Sequence, residues 1–282
     1  MDPLISVDDL SEQLAGSRPP VLLDVRWSLL GPPGRQDYEQ DHLPGAVFVD
    51  LDTELSAPPG AGGRHPLPAA ADLQAVFRRA GITAEREVVA YDADNGSAAA
   101  RAWWLLRWAG HPRVRVLDGG YRAWVARGNP VTAEVPEVVP TDFQVVPDSL
   151  PVINADEAAR MAEDGRLLDA RAPERYRGEV EPVDPRAGHI PGARNAPFAS
   201  NVTEDGTWRP PEDVAALFRE LGVDGTSRVA TYCGSGVTAC SALLALEHAG
   251  LSGPANPAAL YAGSWSHWTT DPTRPAKTGE TP

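Results

Sequence analysis

RVATYCGSGVTACSALLALEHAG, residues 228–250, reads as a short apolar run, a loop of small residues and a helix-like run from Ala239. A short buried strand followed directly by a helix is the unit from which parallel sheets are built. VVAYDADNGSAAA, residues 88–100, has the same order, with Asp92 where the other stretch has Cys233. The chain therefore carries this unit twice.

The repetition extends outward from both copies. LLDVR (22–26) returns as LLDAR (167–171), HLPGA (42–46) as HIPGA (189–193), and LDGGYRAW (117–124) more loosely as YAGSWSHW (261–268). Asp24 to Asp169, His42 to His189, Asp92 to Cys233 and Trp124 to Trp268 are all separated by 141 to 147 residues. Four segments in one order at nearly constant spacing identify a duplication. ADLQAVFRRAG (71–81) and PEDVAALFRELG (211–222) have helical spacing and end in glycine. Strands alternating with helices predict an α/β fold: two tandem domains, each a small parallel sheet covered by helices on both faces. The expected boundaries are 1–130 for a first domain, 131–150 for a proline-rich connector and 151–282 for a second domain. The last dozen residues, DPTRPAKTGETP, are polar and expected to fray.

Composition narrows the function. The 282 residues carry a net charge of −14, which disfavours a nucleic-acid partner because phosphate binding needs a basic face. No apolar run approaches the ~20 residues of a membrane span. The N-terminal MDPLISVDDLSEQL has neither a basic region nor an apolar core, so no signal peptide is expected there. Two cysteines, Cys233 and Cys240, make no disulfide framework. On a helix they would stand roughly 10 Å apart, beyond the ~7 Å reach of a disulfide. They are too few for a zinc site of their own, and no metal is expected. Reduced thiols point to the cytoplasm.

The two halves act as controls for each other. Features present in both serve the fold: His42 and His189 in their H-x-P-G-A turns, and the Asp24–Arg26 and Asp169–Arg171 pairs. Trp103, Trp104 and Trp108 lie at helical spacing and predict core packing. Cys233 belongs to one half only. It stands at a strand end, in a loop that opens onto a helix N-terminus. Gly234, Gly236, Val237 and Thr238 are expected to curl their backbone N–H groups around the sulfur. Such amides and the helix dipole favour an anion, and the thiolate is the nucleophilic form of cysteine. Cys240, inside the helix, reads as a buried core thiol. Phosphatase chemistry is excluded. The position six after Cys233 is Ala239 rather than arginine, and the loop holds no Lys or Arg to stabilise a transferring phosphoryl group.

The duplicated LLD-x-R, H-I-P-G-A and Y-C-G-S-G-V-T-A-C pattern resembles tandem rhodanese-domain sulfurtransferases along nearly the whole chain. The resemblance implies an inactive first domain and a second that carries sulfur as a persulfide on Cys233, with no cofactor. The CGSGVTAC loop is similar to that of 3-mercaptopyruvate sulfurtransferases; thiosulfate-preferring rhodaneses typically carry basic residues there. Arg175 falls at the family's substrate-binding arginine, and Arg186 resembles a second one approximately. The resemblance also implies a Ser-His-Asp set of Ser235, His65 and Asp52, drawn from both halves. The implied partners are a small-molecule sulfur donor and a thiol acceptor such as thioredoxin. Two alternatives stay open: a thiosulfate:cyanide sulfurtransferase, and a sulfur carrier or interaction module that does not turn over.

Overall fold

The structure is a computed structural model that describes residues 2–282. The chain forms two compact units. The first holds the residues up to Ala57, Pro68–Ser149 and Val202–Trp208; the second holds Pro58–Leu67, Leu150–Asn201 and Arg209–Pro282.

The first unit is a five-stranded parallel sheet of β1 (Leu4–Ile5), β2 (Val21–Asp24), β3 (Ala46–Phe48), β4 (Val88–Tyr91) and β5 (Val114–Leu117), in the order β1-β5-β4-β2-β3. Helices α1 (Val7–Ala15), α2 (Gly34–Gln40), α3 (Ala70–Arg79), α4 (Ala99–Trp108) and α5 (Gly120–Ala126) cover it. The second unit has helices α6 (Ala155–Glu163), α7 (Pro173–Tyr176), α8 (Pro211–Glu220), α9 (Thr238–His248) and α10 (Ser264–Trp268). Its strands β6 (Leu167–Asp169), β7 (Arg194–Asn195), β8 (Ala230–Tyr232) and β9 (Ala259–Leu260) form a parallel sheet in the order β7-β6-β8-β9. The central strands β2, β4, β6 and β8 are buried at every position, as strands covered on both faces must be. Trp103, Trp104 and Trp108 lie buried on α4, in the core as their spacing predicts.

The repeat is written into the polar contacts. Arg26 Nη2 meets Asp24 at 2.8 Å, and Arg171 Nη2 meets Asp169 at 2.6 Å. Each Nη2 also donates to the carbonyl before the H-x-P-G-A histidine, that of Asp41 or Gly188. Burial disfavours the Arg171 charge, but Asp169 more than offsets this and raises its pKa. His42 and His189 are fully buried, stack on Tyr38 and Tyr176 at 3.8 and 3.7 Å, and place Nδ1 2.8 Å from those tyrosines' carbonyl oxygens. Both histidines are parts of the fold.

The C-terminal dozen does not fray as its composition suggests. Lys277 pairs with His189 through two backbone hydrogen bonds, and Trp268 Nε1 donates to Pro275 O at 2.8 Å. The first unit repeats this. Thr132 pairs with His42, and Trp124 Nε1 donates to Pro130 O at 2.8 Å. Polar side chains concealed a segment held by its backbone. Residues 133–149 carry no helix or strand, yet Thr141 N and Val146 N donate to Arg78 O and Ala109 O, which ties this stretch to the first unit. Among the described residues, no helix is long and apolar enough to cross a membrane, and no group of three or more His, Cys, Asp or Glu side chains could hold a metal ion.

Candidate active site around Cys233

β8 ends at Tyr232, and the chain turns through Cys233–Val237 into α9. Gly236 makes the turn. Its φ is +86°, and a Cβ there would stand 2.4 Å from Ala262 O, so a side chain is excluded twice over. The bend points Gly236 N–H at Cys233 Sγ, 3.1 Å away. Val237 and Thr238 lead into the first turn of α9, where N–H groups lack intrahelical partners. Cys240 Sγ, one turn into the helix, donates to Gly236 O at 3.3 Å and is fully buried. Both cysteines are free.

α10 fixes the loop from the other side. Trp265 N donates to Cys233 O at 3.0 Å, and Ser266 N to Gly234 O at 2.8 Å. Cys233 N donates to Ser264 Oγ at 3.1 Å, and that hydroxyl donates to Tyr261 O at 2.9 Å. Ser264 holds a left-handed φ of +54°, which glycine tolerates more readily. The equivalent in the first unit is Gly120, φ +55°, where a Cβ would stand 2.6 Å from Asp92 O. A backbone constraint is thus met by glycine in one unit and, in the other, by a serine whose hydroxyl takes the nucleophile's N–H.

Cys233 is 2 % exposed, but hydrocarbon does not seal its loop. Gly234 has no side chain, and a Cβ there would lie 3.1 Å from Arg64 Nη2, 3.4 Å from Arg175 Nη1 and 3.5 Å from Arg175 Nη2. Ser235 is buried, with Oγ 2.7 Å from His65 Nδ1. His65 reaches it because Pro58–Leu67 is part of the second unit. Arg175 sits on α7, where Nη2 meets Glu181 Oε1 at 2.7 Å and Asp184 Oδ2 at 3.3 Å.

The structure therefore brings Cys233, Ser235, His65 and Arg175 to one loop. Arg186 is engaged elsewhere: Nη1 and Nη2 donate to Arg274 O and Asp271 O at 2.8 and 3.2 Å. Asp52 belongs to the first unit, where Oδ1 accepts Trp27 Nε1 at 2.9 Å. The residue missed from sequence is Arg64. It precedes His65 in GRHPLP. One signal was available: an arginine between a glycine pair and a candidate site histidine.

Comparison with known proteins agrees with this architecture. The rhodanese-like domain model matches residues 6–127 and 154–271. A probable 3-mercaptopyruvate sulfurtransferase of Pseudomonas aeruginosa is 46% identical over 98% of this chain and 98% of its own. A putative thiosulfate sulfurtransferase, SseB, of Mycobacterium tuberculosis is 46% identical over 98% and 97%. Among solved structures, the 3-mercaptopyruvate sulfurtransferase from Leishmania major superposes with a TM-score of 0.83 at 31% identity, covering 96% of this chain and 75% of that one. SseA from Escherichia coli superposes with a TM-score of 0.80 at 28% identity, covering 94% and 100%.

Proposed function

The chain belongs to the rhodanese-like family and is a sulfurtransferase, and from that premise we propose that it moves the thiol sulfur of 3-mercaptopyruvate to an acceptor thiol through a persulfide, the sulfane stage, on Cys233. The observation that carries this reading is the Gly236 amide donating to Cys233 Sγ, in a loop flanked by the Arg175 guanidinium.

The Cys233 thiolate attacks the donor's sulfur. The new S–S bond forms as the C–S bond breaks, and that bond's electron pair leaves on carbon as pyruvate enolate. The enolate takes a proton and becomes pyruvate; the donor's thiol proton is lost or stays on the outer sulfur. Arg175 binds the donor's carboxylate through its planar fork. Ser235 and His65, 2.7 Å apart, form a route for the enolate's proton. The loop amides and the start of α9 receive the persulfide's negative charge. An acceptor thiolate then attacks the outer sulfur and releases the Cys233 thiolate, which is covalent ping-pong catalysis. A small thiol, a reduced thioredoxin-type dithiol or cyanide has the chemistry for this half. A reducing compartment such as the cytoplasm would keep Cys233 available.

A matrix of donors against acceptors tests the reading, with intact mass measured after each donor. 3-Mercaptopyruvate should add one sulfur atom to the wild type and none to Cys233→Ser, and an acceptor thiol should remove it. A mass gain that persists in Cys233→Ser would refute the assignment. The second reading, thiosulfate as donor, is favoured by the two guanidinium groups at Gly234, which suit a dianion. It requires the larger kcat/KM with thiosulfate.

A further inference from the structure

We propose that Arg64, and not Arg186, is the second guanidinium that binds the sulfur donor's carboxylate, paired with Arg175 across Gly234; this rests on the sulfur-transfer reading above. Three observations converge on it. The first is position. Arg64 Nη2 is the nearest atom to a Cβ built on Gly234, closer than either Arg175 nitrogen. The residue next to the nucleophile is thus kept without a side chain, and two guanidinium groups occupy that side of it.

The second is the way the pair is held. Asp184 bridges both arginines: Oδ1 takes Arg64 Nη1 at 2.8 Å and Oδ2 takes Arg175 Nη2 at 3.3 Å. Asp184 is 3 % exposed, so this clamp is shielded from solvent screening. It fixes one edge of each fork while Arg64 Nη2 and Arg175 Nη1 remain the nitrogens nearest Gly234.

The third is the backbone. Arg64 N donates to Ser266 Oγ at 3.0 Å, and Ser266 N donates to Gly234 O at 2.8 Å. One serine therefore ties Arg64 to the loop beside Cys233. Gly63, with φ +107°, lies so close to α10 that a Cβ would stand 2.8 Å from Gly263 O. The next residue, His65, meets Ser235. Arg64 and His65 thus reach consecutive residues of the loop. Arg186, by contrast, has both terminal nitrogens on backbone carbonyls.

The test compares 3-mercaptopyruvate with 1-mercaptopropan-2-one (mercaptoacetone), which keeps the thiol and the ketone and has a methyl group in place of the carboxylate. Sulfur loading of Cys233 is followed by mass in single turnovers, for the wild type, Arg64→Gln and Arg64→Lys. The expected result is a tenfold or greater fall in the preference for 3-mercaptopyruvate in Arg64→Gln, partly restored in Arg64→Lys. Equal losses with both donors, or no loss with either, would overturn the proposal. Pyruvate titrated into the unloaded protein keeps it falsifiable if the methyl ketone reacts too slowly: its Kd should rise tenfold in Arg64→Gln, and an unchanged Kd overturns the assignment. Wild-type protein that takes no sulfur from 3-mercaptopyruvate defeats the transfer reading itself. Wild-type loading with an unchanged preference in Arg64→Gln defeats only the role of Arg64.

Discussion

The loops after β4 and β8 share a bend and differ in what fills it. In the first unit, Asp92 accepts four backbone N–H groups, from Asp94, Gly96, Ala98 and Ala99, at 2.8 to 3.2 Å. In the second, Cys233 Sγ accepts one, from Gly236. Each loop has a left-handed glycine, Gly96 at φ +74° and Gly236 at φ +86°. In each, the helix that follows the next strand caps the two carbonyls of the turn: Tyr121 and Arg122 donate to Asp92 O and Ala93 O, just as Trp265 and Ser266 donate to Cys233 O and Gly234 O. The backbone thus builds an anion site twice. A carboxylate that takes four amides has completed the site's chemistry. A single sulfur that takes one amide leaves, on the proposed reading, the start of α9 to receive the second sulfur of a persulfide. Burial pushes the Asp92 carboxyl above its usual range even though the amides pull it down, so ionising it there carries a cost.

Exchanging the two occupants should produce the largest effect. Cys233→Asp is expected to fold, because the bend accepts a carboxylate, and to lose sulfur transfer by about a thousandfold or more, since no nucleophilic sulfur remains. The reciprocal Asp92→Cys should take up no sulfur from 3-mercaptopyruvate at the substituted position; intact mass and peptide mapping read both variants. Sulfur found on the introduced thiol of Asp92→Cys would show that the bend alone makes a cysteine reactive.

Asp92→Ala leaves four amides without an acceptor, three of them in buried hydrogen bonds. Some will find water, and relief of the buried charge offsets part of the loss, so a destabilisation of about 3 kcal/mol is expected from urea unfolding. Cys233→Ala has one amide at stake and should cost about 1 kcal/mol by the same measure. Equal costs would remove the distinction between a filled and an open site.

Arg175→Lys keeps the charge and loses the planar fork, so KM for 3-mercaptopyruvate should rise about tenfold, with little change in melting temperature. Steady-state kinetics on this variant sharpen the comparison, because the arginine belongs to one unit only.

The smallest effect concerns pH. Burial depresses the pKa of His189 in the second unit and of His111 in the first, so both favour the neutral imidazole when folded. Their stabilising contribution is complete above the unfolded histidine value of about 6.5 and is lost as pH falls through the lower folded values. The urea midpoint should therefore drop as pH is lowered from about 6.5, and His189→Gln should flatten part of that slope.

Local patterns decided much of this protein before any long-range contact is considered. Short apolar runs, helical spacing and a duplicated set of motifs specified two parallel α/β units, because strand and helix periodicities are local properties of a chain. The glycine-bounded Cys233, against Asp92 at the matching position, singled out the candidate nucleophile, and the repeated histidines declared themselves structural. Only the tertiary structure decided which distant groups lie at the loop beside that sulfur. Sequence order says nothing about where a loop docks. Arg64 and His65 join the second unit because Gly63 packs without a side chain against α10. Arg186, adjacent to the right motif, is held instead by carbonyls of a C-terminal segment whose composition suggested disorder. Those outcomes depend on backbone hydrogen bonds and close packing between residues far apart in the chain, which no local pattern encodes.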